Sequence, residues 1–171
     1  MDGVEEERYR AFVAARSSAL LRTAYLLTGD RGRAEDLLQT ALTKTYLSWG
    51  RIRDRAAVEA YVRRVMVTTS TSWWRRRWHG ETPTEILPET VVPGDLTRSH
   101  AERDELWRLL QDLPAKQRAV LVLRFYEDLN ETEVADALGI SRGTVKSHTS
   151  RALAALRVRL GQREPVREER S

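Results

Sequence analysis

The sequence predicts an all-α protein in which two small helical domains are joined by an irregular acidic linker, the second domain containing a helix-turn-helix. Apolar residues recur at helical spacing through most of the chain, and no segment alternates as a β-strand does. Pro83, Pro88 and Pro93 interrupt this periodicity, and 171 residues are enough for two small domains. The predicted boundaries are residues 5–80 for the first domain, 81–98 for the linker, 99–160 for the second domain and 161–171 for a frayed polar tail.

The first domain contains three segments whose apolar residues recur every three or four positions: residues 9–27, 34–49 and 58–78. Gly29 breaks the first segment, and the carboxylate of Asp30 is placed to cap the second one. The basic stretch between the second and third segments is predicted as a loop. Trp73 continues the apolar stripe of the third segment, which predicts a place in the core.

The second domain is predicted to end in two short helices joined by a turn. A helix that stops at Pro114 and a further apolar segment precede them. Asn130 begins a capping pattern for the first of the two, Gly139 makes the turn, and Ser141 caps a last helix through Leu160. Two capped helices with a turn of three or four residues predict a helix-turn-helix.

Charge is distributed unevenly along the chain, although the net charge is only +4. Residues 61–80 contain five arginines and no acid, and residues 139–160 contain five basic residues and no acid. Residues 81–97 contain four acids and no base. Two cationic patches indicate a polyanionic partner, most often nucleic acid, although arginine-rich helix faces can also be merely solvated.

Several classes of function are disfavoured by composition. The chain has no cysteine and only three scattered histidines, so we expect no metal, no cofactor and no catalytic residues. No apolar run approaches the ~20 residues of a membrane helix, and the acidic N-terminus is unlike a signal peptide. We therefore expect a cytoplasmic protein without membrane insertion.

The last helix of the second domain can be divided into two faces at about 100° per residue. Val145, Ala152 and Leu156 fall on one stripe that should face the preceding helix, with His148 near it as a flank or core contact. Lysine and arginine reach guanine edges and phosphates, and serine and threonine reach either. A helical hairpin used only for packing remains the alternative. The opposite face and its flank carry Arg142, Gly143, Thr144, Lys146, Ser147, Ser150 and Arg151.

Four segments in order resemble the extracytoplasmic-function (ECF, group 4) sigma factors of the sigma-70 family, with the SigE-like branch as one candidate. Residues 34–39 resemble region 2.2, and residues 60–77 resemble regions 2.3 and 2.4. Residues 113–126 resemble region 4.1, and residues 129–152 resemble region 4.2. The resemblance extends over almost the whole chain, from about residue 8 to residue 160.

The resemblance implies an RNA polymerase sigma factor that directs promoter-specific initiation and catalyses no reaction. Residues 5–80 would bind core polymerase and the −10 element, and residues 99–160 would bind the −35 element. The implied partners are the β′ clamp and β flap of bacterial RNA polymerase, promoter DNA and an anti-sigma factor. The implied contacts to the β′ clamp are Asp36, Gln39, Thr40 and Thr43.

In this family a melted −10 base enters a protein pocket. The implied −10 contacts are Arg53, Arg63, Arg64, Thr68, Ser72, Trp74, Arg75 and Arg76, with Trp78 as a further stacking candidate. The chain has Thr68 and Ser72 where many members carry Asn and Asp, and His148 where many carry Arg. The implied −35 contacts are the seven residues of the outward face of the last helix.

Three other classes of protein are alternatives to this interpretation. Residues 144–148 also resemble the recognition helix of LuxR-type activators, which bind operator DNA without polymerase, usually as dimers. An enzyme is disfavoured because no phosphate-binding loop, nucleophile elbow or paired-histidine motif is present. A helical scaffold is disfavoured by the two acid-free patches.

Overall fold

The protein is all-α in the residues that a computed structural model describes, 2–78 and 98–163, which contain no strand. This confirms the predicted fold class; the acidic linker, except for Arg98, and the tail beyond Arg163 lie outside the described residues. In the same two ranges, no helix has the length and apolarity needed to cross a membrane. The helices are α1 (Gly3–Thr28), α2 (Arg31–Ser48), α3 (Arg55–Trp78), α4 (Arg98–Leu110), α5 (Ala115–Leu121), α6 (Glu131–Leu138) and α7 (Arg142–Arg163), with a 3₁₀ turn at Trp49–Arg51 and a π turn at Val122–Tyr126.

The predicted helix caps are confirmed. The Asp30 carboxylate accepts a hydrogen bond of 2.8 Å from the Arg33 amide, and the Asn130 side chain forms a reciprocal capping box. Gly29 and Gly139 end α1 and α6 in the left-handed region, with φ of 75° and 65°. A side chain is strained in that region, which explains glycine at both helix ends.

Three helix boundaries differ from the sequence-based expectation. α1 begins at Gly3 rather than near residue 9, because the Asp2 side chain caps it by accepting from the Glu5 amide. α3 begins at Arg55 rather than at 58, which shortens the predicted basic loop. α7 continues to Arg163, so the first three residues of the predicted tail are helical.

The N-terminal domain is a three-helix unit in which α2 packs between α1 and α3. Its core is apolar and almost fully excluded from solvent, as the stripe of α2 predicted. Burial of each leucine, valine or methionine side chain among them contributes about 1.5–3 kcal/mol, which fixes the faces of α2 and α3 that remain outside. The central core residues are Leu20, Leu27, Leu37, Ala41, Val62 and Met66.

The C-terminal domain packs α5 and α6 against α7. Val145 and Ala152 of α7 are fully buried, and Val134 of α6 is fully buried as well, so the predicted inward stripe and the helix-turn-helix are confirmed. The π turn replaces the regular end of α5, where the Glu127 amide donates to the Val122 carbonyl five residues earlier. This turn brings the Glu127 side chain to the N-terminal domain.

The two domains are in direct contact. α3 packs against α5 and α6, and α1 packs against α4, α5 and the π turn. This contact between the two domains was not predicted from the sequence.

Candidate nucleic-acid interface

The outward face of α7 is open to solvent. The side chains of Arg142 and Lys146 are 64% and 63% exposed. Gly143, Ser147, Ser150 and Arg151 are exposed as well, whereas Thr144 is half-buried. The structure therefore presents together all seven residues that the sequence predicted for one DNA-facing surface.

The first turn of α7 is held in shape by its cap. The Ser141 hydroxyl accepts a hydrogen bond of 3.1 Å from the Thr144 amide and forms another of 2.8 Å with the Thr144 hydroxyl. A Cβ at Gly143 would meet only the Ser141 hydroxyl, at 3.9 Å, so packing does not require glycine there. A glycine on an exposed helix N-terminus allows close approach of a phosphate to the backbone amides.

An acid from α6 lies beside this cationic face. The Glu131 carboxylate is 3.8 Å from Lys146 Nζ and 4.0 Å from Arg142 Nη2. This contact was not predicted from the sequence, because Glu131 lies outside the acid-free residues 139–160. The carboxylate reduces the positive charge that the face offers to phosphates.

His148 points away from the exposed face. Its Nδ1 is buried and has no hydrogen-bond partner among the described residues. Burial lowers the pKa of His148, and the nearby charges of Lys116 and Arg151 lower it further. The imidazole is therefore neutral at pH 7, consistent with the predicted place beside the apolar stripe.

A groove of about 350 Å³ lies between α2 and α3. This volume falls within the range of about 300–1,000 Å³ that is typical of small-molecule pockets. The groove offers hydroxyls, two cations and an aromatic ring. Its lining residues are Thr40, Lys44, Val65, Thr68, Thr69, Ser72, Trp73 and Arg76.

The run of hydroxyl residues at 68–72 is accommodated by hydrogen bonds within α3. The Thr68 hydroxyl donates to the Arg64 carbonyl, and the buried Ser70 hydroxyl donates to the Val67 carbonyl at 3.0 Å. These bonds satisfy the donors and leave oxygen lone pairs available. Thr68 therefore presents an acceptor at the groove.

The eight predicted −10 residues fall into two groups in the structure. Arg53, Arg64, Thr68, Ser72, Arg75 and Arg76 lie on the exposed surface or in the groove. Arg63 and Trp74 instead lie where the two domains meet. Arg63 pairs with Glu59 and Glu127 and is only 17% exposed, and Trp74 contacts Arg118.

The predicted polymerase-binding residues lie on α2. Asp36, Gln39 and Thr43 are exposed, whereas Thr40 is half-buried and lines the groove. Leu47 is 77% exposed and lies within about 20° of Asp36 around the helix. Leu47 was not predicted as a contact; its signal in the sequence is a leucine outside the apolar stripe of α2.

Comparison with known proteins agrees with this geometry. The family model described as "Sigma-70 region 2" matches residues 12–80, and "Sigma-70, region 4" matches residues 109–158. The chain belongs to the sigma-70 family, whose members are RNA polymerase sigma factors that direct transcription initiation.

Within this family, the relatives of the chain identify it as a member of the extracytoplasmic-function group. They confirm the resemblance that the motifs indicated. The chain is 49% identical to the RNA polymerase sigma-E factor of Streptomyces coelicolor over 156 residues, covering 91% of this chain and 88% of the relative. It is 31% identical to the ECF sigma factor SigL of Mycobacterium tuberculosis over 156 residues, covering 88% of each chain.

A solved structure shares the fold at lower identity. The sigma factor RpoE of Bartonella quintana, in complex with the anti-sigma factor NepR, superposes with a TM-score of 0.68 at 22% identity. The match covers 92% of this chain and 99% of that chain.

Proposed function

We propose that the chain acts as a two-part promoter adaptor, with residues 5–80 binding core polymerase and the −10 element and residues 99–160 binding the −35 element. The observation that carries this proposal is the exposed cationic face of α7, whose buried side is fixed by Val145 and Ala152. A helix held in this way presents its outer face to the major groove of DNA.

At the −35 element, the contacts divide into two kinds. Arg142, Lys146 and Arg151 reach base edges or phosphates, and the hydroxyls of Ser147 and Ser150 reach either. Gly143 and the capped N-terminus of α7 approach a phosphate, where the helix dipole favours negative charge. Thr144, which is tied to Ser141, orients this first turn.

At the −10 element, the groove between α2 and α3 receives an unpaired base. Thr68 and Ser72 hydrogen-bond to the base, and Arg76 holds its phosphate. Arg53, Arg64 and Arg75 follow the strand on the exposed surface. Stacking of the base on the aromatic ring that lines the groove contributes about 1–3 kcal/mol. This gain offsets the similar free-energy cost of unstacking the base from its neighbours in the DNA.

On core polymerase, the exposed face of α2 binds the β′ clamp. Asp36, Gln39 and Thr43 supply polar contacts, Thr40 lies at the edge of this surface, and Leu47 supplies an apolar one. The C-terminal domain would contact the β flap.

The remaining parts of the proposal are supported by membership in the family and by its relatives. The chain is not an enzyme and uses no cofactor. It acts in the cytoplasm, where RNA polymerase is found, and is held inactive by an anti-sigma factor. The solved structure of RpoE, in complex with the anti-sigma factor NepR, supports this last assignment.

The proposal is tested by transcription with reconstituted core polymerase on promoters mapped from transcript 5′ ends after overexpression. We expect chain-dependent initiation at these promoters. Lys146→Ala should weaken binding of a −35 duplex by about tenfold, because a base or phosphate contact is worth roughly 1–3 kcal/mol. Arg108→Ala removes an exposed cation from α4 and is the matched control. Absence of specific initiation with the wild-type chain would contradict the proposal.

A further inference from the structure

The basic loop between α2 and α3, defined here as residues 50–53, is fixed at both ends. At its start, the Trp49 carbonyl accepts a hydrogen bond of 3.1 Å from the Ile52 amide, which closes the 3₁₀ turn. At its end, the Asp54 carboxylate accepts a hydrogen bond of 3.2 Å from an amide in the first turn of α3. The exposed cations between these two anchors are Arg51 and Arg53.

Trp49, the anchor at the start of the loop, is itself held by the first turn of α1. Its side chain is only 8% exposed, and the indole Nε1–H donates a hydrogen bond of 2.7 Å to the Glu5 carboxylate. A buried indole N–H needs such a partner, because an unpaired buried donor is destabilising. The other oxygen of Glu5 binds Arg8 at 2.7 Å. Glu5 therefore joins the beginning of α1 to the beginning of the basic loop.

Aromatic rings hold the indole in one orientation. The Tyr9 ring meets Trp49 edge to face, with centroids 5.4 Å apart and planes at 85°, and the Phe12 ring lies 6.3 Å away. The Tyr9 hydroxyl donates to the Leu42 carbonyl of α2 at 3.0 Å. Burial raises the pKa of Tyr9, so the hydroxyl stays protonated and able to donate at neutral pH. Edge-to-face pairs of this kind favour one geometry over others, which restricts rotation of the indole.

The position of Trp49 limits where the cations of the loop can lie. Arg53, a proposed −10 contact, is four positions beyond Trp49, and four residues of chain span at most about 14 Å. Arginines bind phosphates through charge-assisted hydrogen bonds whose strength depends on geometry. A loop held at both ends therefore presents its cations to a phosphate at a smaller cost in conformational entropy than a loop held at one end.

We propose that the first turn of α1 positions the basic loop for the −10 strand, with Glu5 as a positioning residue that acts through Trp49. The inference rests on the proposed function for the identity of the strand that the loop binds. Glu5 does not touch DNA in this arrangement. Its hydrogen bond keeps the indole, and with it the 3₁₀ turn, in the place where Arg53 reaches a phosphate.

The sign of the effect separates positioning from simple electrostatics. Removal of a carboxylate near a phosphate-binding surface should by charge alone tighten DNA binding, whereas loss of positioning should weaken it. Two variants remove one negative charge from the same helical turn and leave an acceptor for the indole N–H. Glu5→Gln keeps the side-chain carbonyl oxygen, and Glu6→Ala removes the neighbouring acid, which pairs with Arg10.

The test measures binding of a dye-labelled single-stranded −10 oligonucleotide to the full chain by fluorescence anisotropy. We expect Glu5→Ala to weaken binding by about threefold to tenfold, the equivalent of one hydrogen bond. Trp49→Phe, which keeps a ring but removes the indole N–H, should weaken it to a similar extent. Glu5→Gln and Glu6→Ala should bind as tightly as the wild type or slightly more tightly. Arg8→Ala removes the other partner of Glu5 and should leave the affinity unchanged.

Binding of a −35 duplex by the same proteins controls for folding. We expect this affinity to be the same in every variant, because the face of α7 does not depend on the first turn of α1. A chain that is partly unfolded would lose both affinities, and far-UV circular dichroism with thermal melting would identify it.

Nuclear magnetic resonance follows the loop without DNA. In proton–nitrogen correlation spectra of the full chain, the indole cross-peak of Trp49 is identified by its absence in Trp49→Phe. We expect this cross-peak and the amides of residues 50–53 to shift in Glu5→Ala and to stay close to their wild-type positions in Glu5→Gln.

Three outcomes decide the question. A Glu5→Ala chain that binds the −10 oligonucleotide as tightly as the wild type would overturn the positioning role. So would a Glu5→Gln chain that loses as much affinity as Glu5→Ala, because the hydrogen bond would then not be the cause. If the loop amides shift in Glu5→Ala but the wild-type chain does not bind the −10 strand, the positioning of the loop stands and the proposed −10 function fails.

Discussion

Glu131 gives the sharpest prediction about the −35 surface, because its carboxylate opposes the cations that DNA would bind. It lies 3.8 Å from Lys146 Nζ and 4.0 Å from Arg142 Nη2. Two unit charges about 4 Å apart in water interact by about 1 kcal/mol, and exposed pairs retain about 0–1 kcal/mol after side-chain entropy and screening. Glu131→Gln should therefore make duplex binding more favourable by about 1 kcal/mol, or about fivefold.

The gain should not depend on DNA sequence, because phosphates compete with Glu131 for the same cations. Fluorescence anisotropy with a −35 duplex and a scrambled duplex, each at several salt concentrations, measures this. We expect both affinities to rise, with the gain shrinking at high salt, where the Debye length falls to about 3 Å at about 1 M. Asp136→Asn is the matched control, since this exposed acid lies on the same helix. An unchanged or weaker affinity in Glu131→Gln would refute the reasoning.

Three other predictions concern polymerase binding and stability. Leu47→Ala should weaken binding to a β′ clamp fragment by about 1 kcal/mol through loss of apolar contact area, measured by calorimetry, while Val4→Ala, another exposed apolar truncation, should leave it unchanged. Leu37→Ala should lower the free energy of unfolding by about 2–5 kcal/mol in urea titration, because Leu37 is fully buried; an effect below 1 kcal/mol would contradict its place in the core. The pKa of His148 is lower in the folded chain than its usual value, so the unfolded chain binds the proton more readily. Stability should thus fall as the pH drops below about 6.5, and urea titrations of His148→Gln between pH 8 and pH 5 should show a shallower loss.

Local features of the fold were predictable because they depend on residues close in sequence. The cap at Asp30, the capping box at Asn130 and the glycine end at Gly139 each involve residues at most four positions apart. The 3.6-residue period placed Val145 and Ala152 on the buried side of α7. The residues predicted to face DNA are those on the opposite side of α7. The misplaced helix ends are also local, since Asp2 extended α1 beyond its apolar stripe.

The candidate site was only partly predictable from the same local rules. Thr68, Ser72 and Arg76 were expected near DNA, but their position opposite Lys44 depends on how α2 packs against α3. Thr40 was expected on the polymerase surface, and its place in the lining of that groove was not predicted. A helical period tells which side of a helix is polar, but not which neighbouring helix that side faces.

By itself, the sequence determined the helices, their caps, the helix-turn-helix and the sets of residues that share a face. Only the tertiary structure decided which charges meet. Glu127 reaches Arg63 across 64 positions and Thr23 across 104, and Glu131 approaches Lys146 from another helix. Capping hydrogen bonds and helical periodicity act within one or two helical turns, whereas these contacts arise when buried faces bring distant segments together. The packing of the helices therefore decides whether an acid-free stretch of sequence forms a cationic surface that is free of acidic partners.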